Sequence, residues 1–186
     1  MALTKYFMAG GVAAIAGIYS HSVVGQSTLD QGGSGDFLSA PASKNPILGQ
    51  KIFGLSGWDL KGKRVSLEQY LGNKPVVLNF FETWCNLCKV EMPSLLAFSR
   101  HYQGKATVVI ATTDRNRDTI YYMTTNNYDS IPVILLDAPS DLARFVPTTY
   151  ILDTAGKVVE MKQLKTDFMD RQSTIRKGLD NLLKKK

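Results

Sequence analysis

The 186-residue sequence predicts an α/β fold, in which a central mixed sheet is flanked by helices and preceded by a short N-terminal hairpin. The composition, with 44% hydrophobic and 20% charged residues, is globular and excludes wholesale disorder, a collagen-like chain and a polytopic membrane protein. Two nearly continuous apolar runs, at residues 75–81 and 106–112, are typical of buried strands. Segments with helical periodicity alternate with such runs, which favours one sheet covered by helices.

The hairpin is predicted from residues 51–60 and 63–65, which alternate loosely around glycines. Ser66-Leu67-Glu68-Gln69 has the spacing of a capping box and predicts a short helix through Leu71. The strand at residues 75–81 comes next. It is followed by a helix, a strand, a helix, three strands and a closing helix, predicted at residues 86–102, 106–112, 117–128, 131–136, 148–152, 157–161 and 166–184.

Apolar residues at helical spacing predict the buried faces of the first and last long helices. In the first helix, where Pro93 should introduce a kink, they are Leu87, Val90, Leu95, Phe98 and Tyr102. In the closing helix they are Phe168, Ile175, Leu179 and Leu182.

Residues 1–25 are expected to act as a signal anchor or as a cleaved signal peptide. Lys5 is the only charged side chain before Asp30, and residues 6–25 just reach the roughly 20 apolar residues that a membrane-spanning helix needs. A buried core helix is the least favoured alternative, because four glycines would weaken it. A cleaved signal peptide needs only about 7–15 apolar residues, so both export alternatives remain, with the anchor preferred. Either one predicts an extracytoplasmic, periplasmic location, and the anchor would hold the chain at the inner membrane.

Residues 26–46 are rich in Gly, Ser and Pro and predict a flexible linker, which leaves residues 47–186 as the folded domain. The formal net charge is +6, but the basic residues are scattered apart from Lys184-Lys185-Lys186. We therefore expect no nucleic-acid partner, and we expect the basic tail to be a solvated helix end rather than a lipid-binding patch.

The two cysteines, Cys85 and Cys88, lie where the first buried strand is predicted to give way to a helix. Unpaired N–H groups and the positive end of the helix dipole at that place favour the thiolate, which is the nucleophilic form of cysteine. The spacing also lets the second sulfur close a disulfide within the first turn. The pair is therefore predicted to exchange disulfides with a substrate, with Cys85 attacking and Cys88 resolving.

Three other interpretations of this pair are possible. A structural disulfide would gain little from so short a loop. A zinc site would normally need four ligands, and His21 and His101 are the only histidines that remain. A chance spacing is always possible. Redox chemistry is preferred, with no metal and no cofactor expected.

The sequence resembles the thioredoxin superfamily and, within it, the TlpA/ResA-like membrane-anchored thiol–disulfide oxidoreductases. The resemblance covers about residue 47 to the C-terminus, and it implies a thioredoxin-like fold and thiol–disulfide oxidoreductase activity. It rests on four stretches, which are LKGKRVSL at residues 60–67, VLNFFETWC at 77–85, CKVEMP at 88–93 and VPTTYILDTAGKVV at 146–159.

The resemblance implies roles for residues that spacing alone would not single out. Pro147 should have a cis peptide bond and face the cysteines, and the Val146 backbone should pair with a substrate strand. Glu91, three residues after Cys88, should tune the cysteines and exchange a proton with the second sulfur; the alternative is an ordinary helix-stabilising Glu. Trp84 should either contact substrate and shield the disulfide or be a packed aromatic.

Two further residues, Asn79 and Glu82, precede the cysteines in the sequence. Asn79 replaces the buried Asp of many thioredoxins, and because Asn cannot take up a proton, that proton route is absent. Glu82 is expected at the surface.

The predicted function is a reductase of protein disulfides. Family membership implies substrates such as apocytochrome c or an oxidase copper-site protein, and a membrane thiol as electron donor. The dipeptide Asn86-Leu87 lacks the usual Pro, so the direction of exchange stays open, and the absence of His from it tilts weakly toward a reductase. The alternatives are a disulfide oxidase or isomerase, and a non-catalytic thiol module that binds Cu(I) or a partner.

Overall fold

A computed structural model describes residues 47–114, 117–163 and 168–184 of the chain. The predicted anchor or signal peptide, residues 1–25, and the predicted linker, residues 26–46, lie outside these ranges, so both assignments stay predictions. The described residues belong to one compact unit. Within the described ranges, none of the helices combines the length and apolar character needed to cross a bilayer.

Seven strands form one mixed sheet in the order β2-β1-β5-β4-β3-β6-β7. The β3–β4 and β4–β5 pairs are parallel, and the other neighbouring pairs are antiparallel. The predicted mixed sheet and its N-terminal hairpin are therefore confirmed. The strands are β1 (Ser56–Trp58), β2 (Arg64–Ser66), β3 (Val76–Phe80), β4 (Thr107–Thr112), β5 (Val133–Leu136), β6 (Thr148–Leu152) and β7 (Val158–Gln163).

Helices flank the sheet, as the sequence predicts. The three α-helices are α1 (Asn86–His101), α2 (Arg117–Thr125) and α3 (Phe168–Lys184), and two 3-10 helices span Leu67–Tyr70 and Asp141–Ala143. Successive side chains of β3 point to opposite faces, and this alternation separates two apolar cores. Val77 faces the core to which all three α-helices contribute. Val76, Leu78 and Phe80 face the other core, which is covered by the N-terminal segment and the 3-10 helices.

β3 is the strand that positions the site. It pairs with β4 on one side and with β6 on the other, and all five of its residues are buried. A nearly continuous apolar run with no exposed position is expected for such a central strand.

The predicted buried face of α1 is partly wrong. Leu87 and Val90 are 52% and 60% exposed. The helix buries the predicted Leu95 together with Cys88, Glu91 and Met92. Because Cys88 points into the core, the residues three and four positions later follow it inward, and Leu87 and Val90 are turned outward. The first two turns of α1 therefore present apolar side chains to solvent.

The predicted capping box is also wrong. The short helix at Leu67–Tyr70 is a 3-10 helix, and the Ser66 side chain makes no capping hydrogen bond. Glu68 accepts a hydrogen bond from the Gly54 backbone N–H at 2.6 Å instead. The carboxylate thus ties the N-terminal segment to the helix rather than closing the helix end.

A hydrogen bond ties the C-terminal end of α1 to α3. The buried Tyr102 hydroxyl donates to Asp180 Oδ1 at 2.7 Å. Burial, followed by this contact with Asp180, raises the pKa of Tyr102 to about 12. The stabilisation that Tyr102 provides is therefore complete below about pH 10 and is lost as the pH rises through about 12.

We predict that Tyr102→Phe lowers the free energy of unfolding by about 1 kcal/mol at pH 7, because it removes this donor. Denaturant titration measures the change. The difference between the two proteins should shrink as the pH rises from about 10 to about 12, because Tyr102 ionises near pH 10 in the unfolded chain and only near pH 12 in the folded protein. Tyr121→Phe is the matched control, since Tyr121 is exposed. Equal stability of Tyr102→Phe and the unmodified protein at pH 7 would contradict the role assigned to this bond.

Candidate active site

The two cysteines lie between the end of β3 and the first turn of α1. The chain leaves the sheet at Phe81 and turns at residues 82–85, where the Cys85 N–H donates to the Glu82 carbonyl at 3.0 Å. Cys85 is the N-cap residue of α1 and has an extended backbone. Its sulfur therefore stands at the helix N-terminus, where backbone N–H groups lack intrahelical partners.

Cys85 and Cys88 form a disulfide, with Cα atoms 5.2 Å apart. The Cys88 N–H donates to Cys85 Sγ at 3.1 Å. A backbone donor directed at this sulfur stabilises negative charge on it, which agrees with the predicted thiolate character. Cys85 is 7% exposed and Cys88 only 1%, so Cys85 is the sulfur that a substrate can reach first.

The cis-proline segment lies at the same end of the sheet. The Val146–Pro147 peptide bond is cis, in agreement with the expectation from the resemblance. β6 begins directly after it, and Thr148 pairs with Phe80 at the end of β3. This register brings Pro147 and Val146 to the end of the sheet from which the chain continues to Cys85.

Exposed apolar side chains lie around the disulfide. Trp84 is 70% exposed, which rules out the packed-aromatic alternative for this residue. Together with Leu87, Val90 and Phe145, which are also exposed, it forms what we call the apolar rim. Exposed hydrophobic side chains grouped in this way are typical of binding surfaces.

A cavity of about 330 Å³ is lined by Trp84, which directly precedes Cys85, and by Val146, which directly precedes the cis proline. Trp84 and Phe145 of the apolar rim contribute to its walls, together with the half-buried Val146 and the buried Glu82. The remaining lining residues are Thr113, Pro139, Ser140, Ala143 and Arg144. Predicted substrate-contact residues Trp84 and Val146 are thus brought together in one groove.

A buried polar network lies on the Cys88 side. Glu91 is 1% exposed and lies three residues after Cys88 on the same helix. Asn79 Nδ2 donates to Glu91 Oε2 at 3.2 Å and to Thr149 Oγ1 at 2.9 Å. Asn79 therefore connects α1 to β6. This role of Asn79 was not predicted from the sequence, although a lone polar residue inside an apolar strand is itself a sign of a buried hydrogen-bond partner.

A second cavity, of about 280 Å³, lies between α1 and α3. Glu91 contributes to its lining, so the buried carboxyl has a neighbouring space that is partly open to solvent. The other lining residues are Ser94, Leu95, Ala97, Phe98, His101, Gln172, Ile175 and Arg176.

The prediction that Glu82 lies at the surface is wrong. Its side chain is buried and only 5% exposed. Desolvation raises the pKa of Glu82; hydrogen bonds from Thr113 and Thr112 lower it, and the nearby Asp114 raises it further. No local sequence pattern signals this burial, because Thr112 and Thr113, whose hydrogen bonds hold the Glu82 carboxylate, lie about 30 residues away in the sequence.

Within the described ranges no three His, Cys, Asp or Glu side chains are grouped as metal ligands. The residues that could hold a soft metal ion are Cys85 and Cys88 in their reduced form, since thiolates are the preferred ligands of Cu(I). In this structure both sulfurs are joined in the disulfide.

The comparisons with known proteins agree with this geometry. The ResA thiol-disulfide oxidoreductase of Bacillus thuringiensis subsp. konkukian is 30% identical over 107 residues, which cover 55% of this chain and 61% of the relative. The thioredoxin-like protein YneN of Bacillus subtilis is 33% identical over 119 residues, covering 61% and 69%. The chain thus spans about three fifths of the length of the ResA relative.

Two solved structures have the same fold. The thioredoxin domain of a thiol-disulfide oxidoreductase from Bacteroides vulgatus has a TM-score of 0.58 at 23% identity, covering 71% of this chain and 97% of that domain. The exposed lipoprotein thioredoxin of Streptococcus pneumoniae has a TM-score of 0.56 at 21% identity, covering 68% and 98%. At such identities the likeness establishes the fold, which is thioredoxin-like.

A family model described as AhpC/TSA matches residues 48–167, which is more than half of the chain and includes the disulfide and the cis proline. Taken with the thioredoxin-like fold, this match shows that the protein belongs to the AhpC/TSA family.

Proposed function

We propose that this protein is a thiol–disulfide oxidoreductase that reduces disulfides in other proteins. The observation that carries the proposal is the Cys85–Cys88 disulfide at the N-terminus of α1, with one sulfur reachable and the other buried. Backbone donors at this position favour the thiolate that disulfide exchange requires. The relatives that are named thiol-disulfide oxidoreductases support the same activity.

The reaction proceeds in two exchange steps. In the reduced protein, the Cys85 thiolate attacks one sulfur of a substrate disulfide and forms a mixed disulfide, and the other substrate sulfur leaves as a thiolate that takes up a proton. Cys88 then loses its proton and attacks Cys85. The Cys85–Cys88 bond re-forms, and the second substrate sulfur leaves and is protonated. Two electrons pass to the substrate, and a thiol donor must return two electrons before the next cycle.

Glu91 is the group that we propose to accept the Cys88 proton. The two side chains share one helical face and are both buried, so water has little access to the thiol. Asn79 fixes the position of the carboxyl group through its hydrogen bond to Oε2. The cavity between α1 and α3 offers a path by which the proton can pass on to solvent.

The apolar rim and the cavity beside Val146 form the proposed binding surface for a protein substrate. An extended substrate segment can pair with the Val146 backbone by strand addition, while its side chains cover Trp84 and Phe145. Burial of four exposed apolar side chains would supply the favourable term in binding.

We place this activity outside the cytoplasm, with residues 6–25 anchoring the chain in the inner membrane. The support is the uncharged apolar segment and the flexible linker predicted at residues 26–46. The resemblance to ResA-like proteins supports apocytochrome c or an oxidase copper-site protein as substrate and a membrane thiol as electron donor. A role in cytochrome c maturation or copper-site assembly follows from that choice of substrate.

The two-step mechanism predicts different behaviour for the two cysteine variants. Cys88→Ser should accumulate a mixed disulfide through Cys85, because the resolving sulfur is missing, whereas Cys85→Ser should trap no substrate. Both variants should lose more than about 100-fold of the insulin-reducing activity, since neither can complete the cycle. Non-reducing electrophoresis with mass spectrometry identifies the adducts.

Equal trapping by the two variants, or none by Cys88→Ser, would contradict the proposal and favour a non-catalytic thiol module. Equilibration with glutathione then gives the reduction potential of the cysteine pair, which distinguishes a reductase from an oxidase. A reduction potential below about −200 mV supports a reductase, and one well above it supports an oxidase.

Glu91→Gln tests the proposed proton acceptor, because it keeps the shape of the side chain and removes its ability to take up a proton. We expect the resolving step, measured as release of a thiol from a preformed mixed disulfide, to slow about 100-fold. The attack by Cys85 should change much less. Glu160→Gln, on the distant edge strand β7, is the control. An unchanged resolving rate in Glu91→Gln would leave Glu91 with a structural role only.

Removal of the apolar rim should weaken protein binding without affecting the sulfur chemistry. For Trp84→Ala we expect KM for a protein disulfide to rise about tenfold, while the rate with oxidised glutathione stays unchanged. Tyr121→Ala is the control, because Tyr121 is as exposed as Trp84 but lies on α2, outside the rim. If Trp84→Ala lowers both rates equally, Trp84 acts on the disulfide rather than on substrate binding.

A further inference from the structure

Five polar residues fasten the active-site turn to the end of β4. We call this group the loop clamp; it consists of Glu82, Thr83, Thr112, Thr113 and Asp114. Glu82 and Thr83 directly precede Trp84 and Cys85, and the other three residues follow β4 or end it. The clamp lies beneath the groove beside Val146, since Glu82 and Thr113 both contribute to the lining of that cavity.

The first arm of the clamp runs from the turn to β4. Glu82 Oε1 accepts hydrogen bonds from the Thr113 N–H at 3.0 Å and from the Thr113 hydroxyl at 2.7 Å. Glu82 Oε2 accepts one from the Thr112 hydroxyl at 3.2 Å. Charge-assisted bonds of this kind are stronger than bonds between neutral groups.

In the second arm, the carboxylate lies after β4 and the donors lie in the active-site turn. Asp114 Oδ2 accepts hydrogen bonds from the Thr83 N–H at 2.6 Å and from the Thr83 hydroxyl at 2.7 Å. The Asp114 N–H in turn donates to the Thr112 hydroxyl at 3.1 Å, which links the two arms. Each loop thus supplies one carboxylate, and each receives donors from the other.

The clamp acts on Cys85 through the backbone. The Cys85 N–H donates to the carbonyl of Glu82, whose side chain is held by Thr112 and Thr113. The last link of the regular β3–β4 pairing is the Phe81 N–H to Ala111 carbonyl bond. Beyond this bond, the described hydrogen bonds between the active-site turn and the residues at the end of β4 are those of the loop clamp.

Stability of the sheet alone does not explain why a carboxylate is buried at position 82. Burial of Glu82 carries a desolvation cost, which is visible in its raised pKa, and an apolar side chain would seal the end of the sheet without that cost. Directional bonds from a carboxylate instead fix the orientation of a turn, and small displacements of reacting atoms have large effects on rate.

We propose that Glu82 and Asp114 are positioning residues, which hold Cys85 at the N-terminus of α1 in the orientation needed for disulfide exchange. This inference rests on the proposed function of the cysteine pair. The two residues act through the turn and do not touch the sulfur or the substrate disulfide themselves.

The test compares variants that break the clamp with variants that preserve its hydrogen bonds. Glu82→Ala and Asp114→Ala each remove one arm. Glu82→Gln can keep both Thr113 bonds and Asp114→Asn can keep both Thr83 bonds, because each pair converges on a single oxygen. The measured quantities are the second-order rate constant with oxidised glutathione, expressed per folded molecule, and the reduction potential of the Cys85–Cys88 pair.

We expect the two Ala variants to lose about tenfold or more in this rate constant and to shift the reduction potential. The Gln and Asn variants should stay within about threefold of the unmodified protein, because most of the hydrogen bonds remain. The double Ala variant should lose less than the product of the two single losses, since both arms hold the same turn. Glu160→Gln controls for loss of a carboxylate elsewhere.

The clamp has only a structural role if the Ala variants lower thermal stability but exchange disulfides at the unmodified rate per folded molecule. The inference is also overturned if Glu82→Gln and Asp114→Asn are as slow as the Ala variants, because charge rather than positioning would then be decisive. Failure of the proposed function is distinguishable from both results, since the unmodified protein itself would then not exchange with glutathione.

Discussion

The junction between a buried central strand and the first turn of a helix is the constraint on which the chemistry of this protein depends. β3 is held by neighbours on both sides and has no exposed residue, so the point at which the chain leaves the sheet is fixed. α1 begins six residues after the strand ends, with Cys85 as its N-cap. A sulfur at this place faces backbone N–H groups that the helix cannot satisfy, and the Cys88 N–H is directed at it.

Buried polar groups support this junction from both sides. On the Cys88 side, Asn79 holds Glu91 and Thr149 together inside the core. On the other side, the loop clamp fastens the turn before Cys85 to the end of β4. Carboxyl groups are costly to bury, and hydrogen bonds return only part of that cost. The proposed roles of Glu91 in proton transfer and of Glu82 in positioning Cys85 would explain why two carboxyl groups are buried within ten residues of one disulfide.

The order of strands and helices could be predicted from the sequence, whereas the burial of individual side chains was harder to predict. The order of strands and helices follows from apolar runs and periodicity, because burial of whole segments dominates folding. The cysteine pair was identified from its spacing, and the roles of Pro147 and Glu91 came from the resemblance. The prediction for Leu87 and Val90 was wrong because helical periodicity shows which residues share a face of the helix, but not which face is buried. The burial of Cys88 decides that. The buried Glu82 carboxylate is held by hydrogen bonds from Thr112 and Thr113, which are about 30 residues away in the sequence, and no local pattern reveals such a contact.

The most direct test of the account is the pH dependence of alkylation of the reduced protein by iodoacetamide, with each cysteine followed by mass spectrometry. The account predicts that Cys85 reacts before Cys88 and that its reaction has a midpoint below about pH 8.5, the value of an ordinary cysteine thiol. If Cys88 reacts first, or if Cys85 ionises no more readily than a free cysteine, the helix terminus does not activate the sulfur and the account is contradicted.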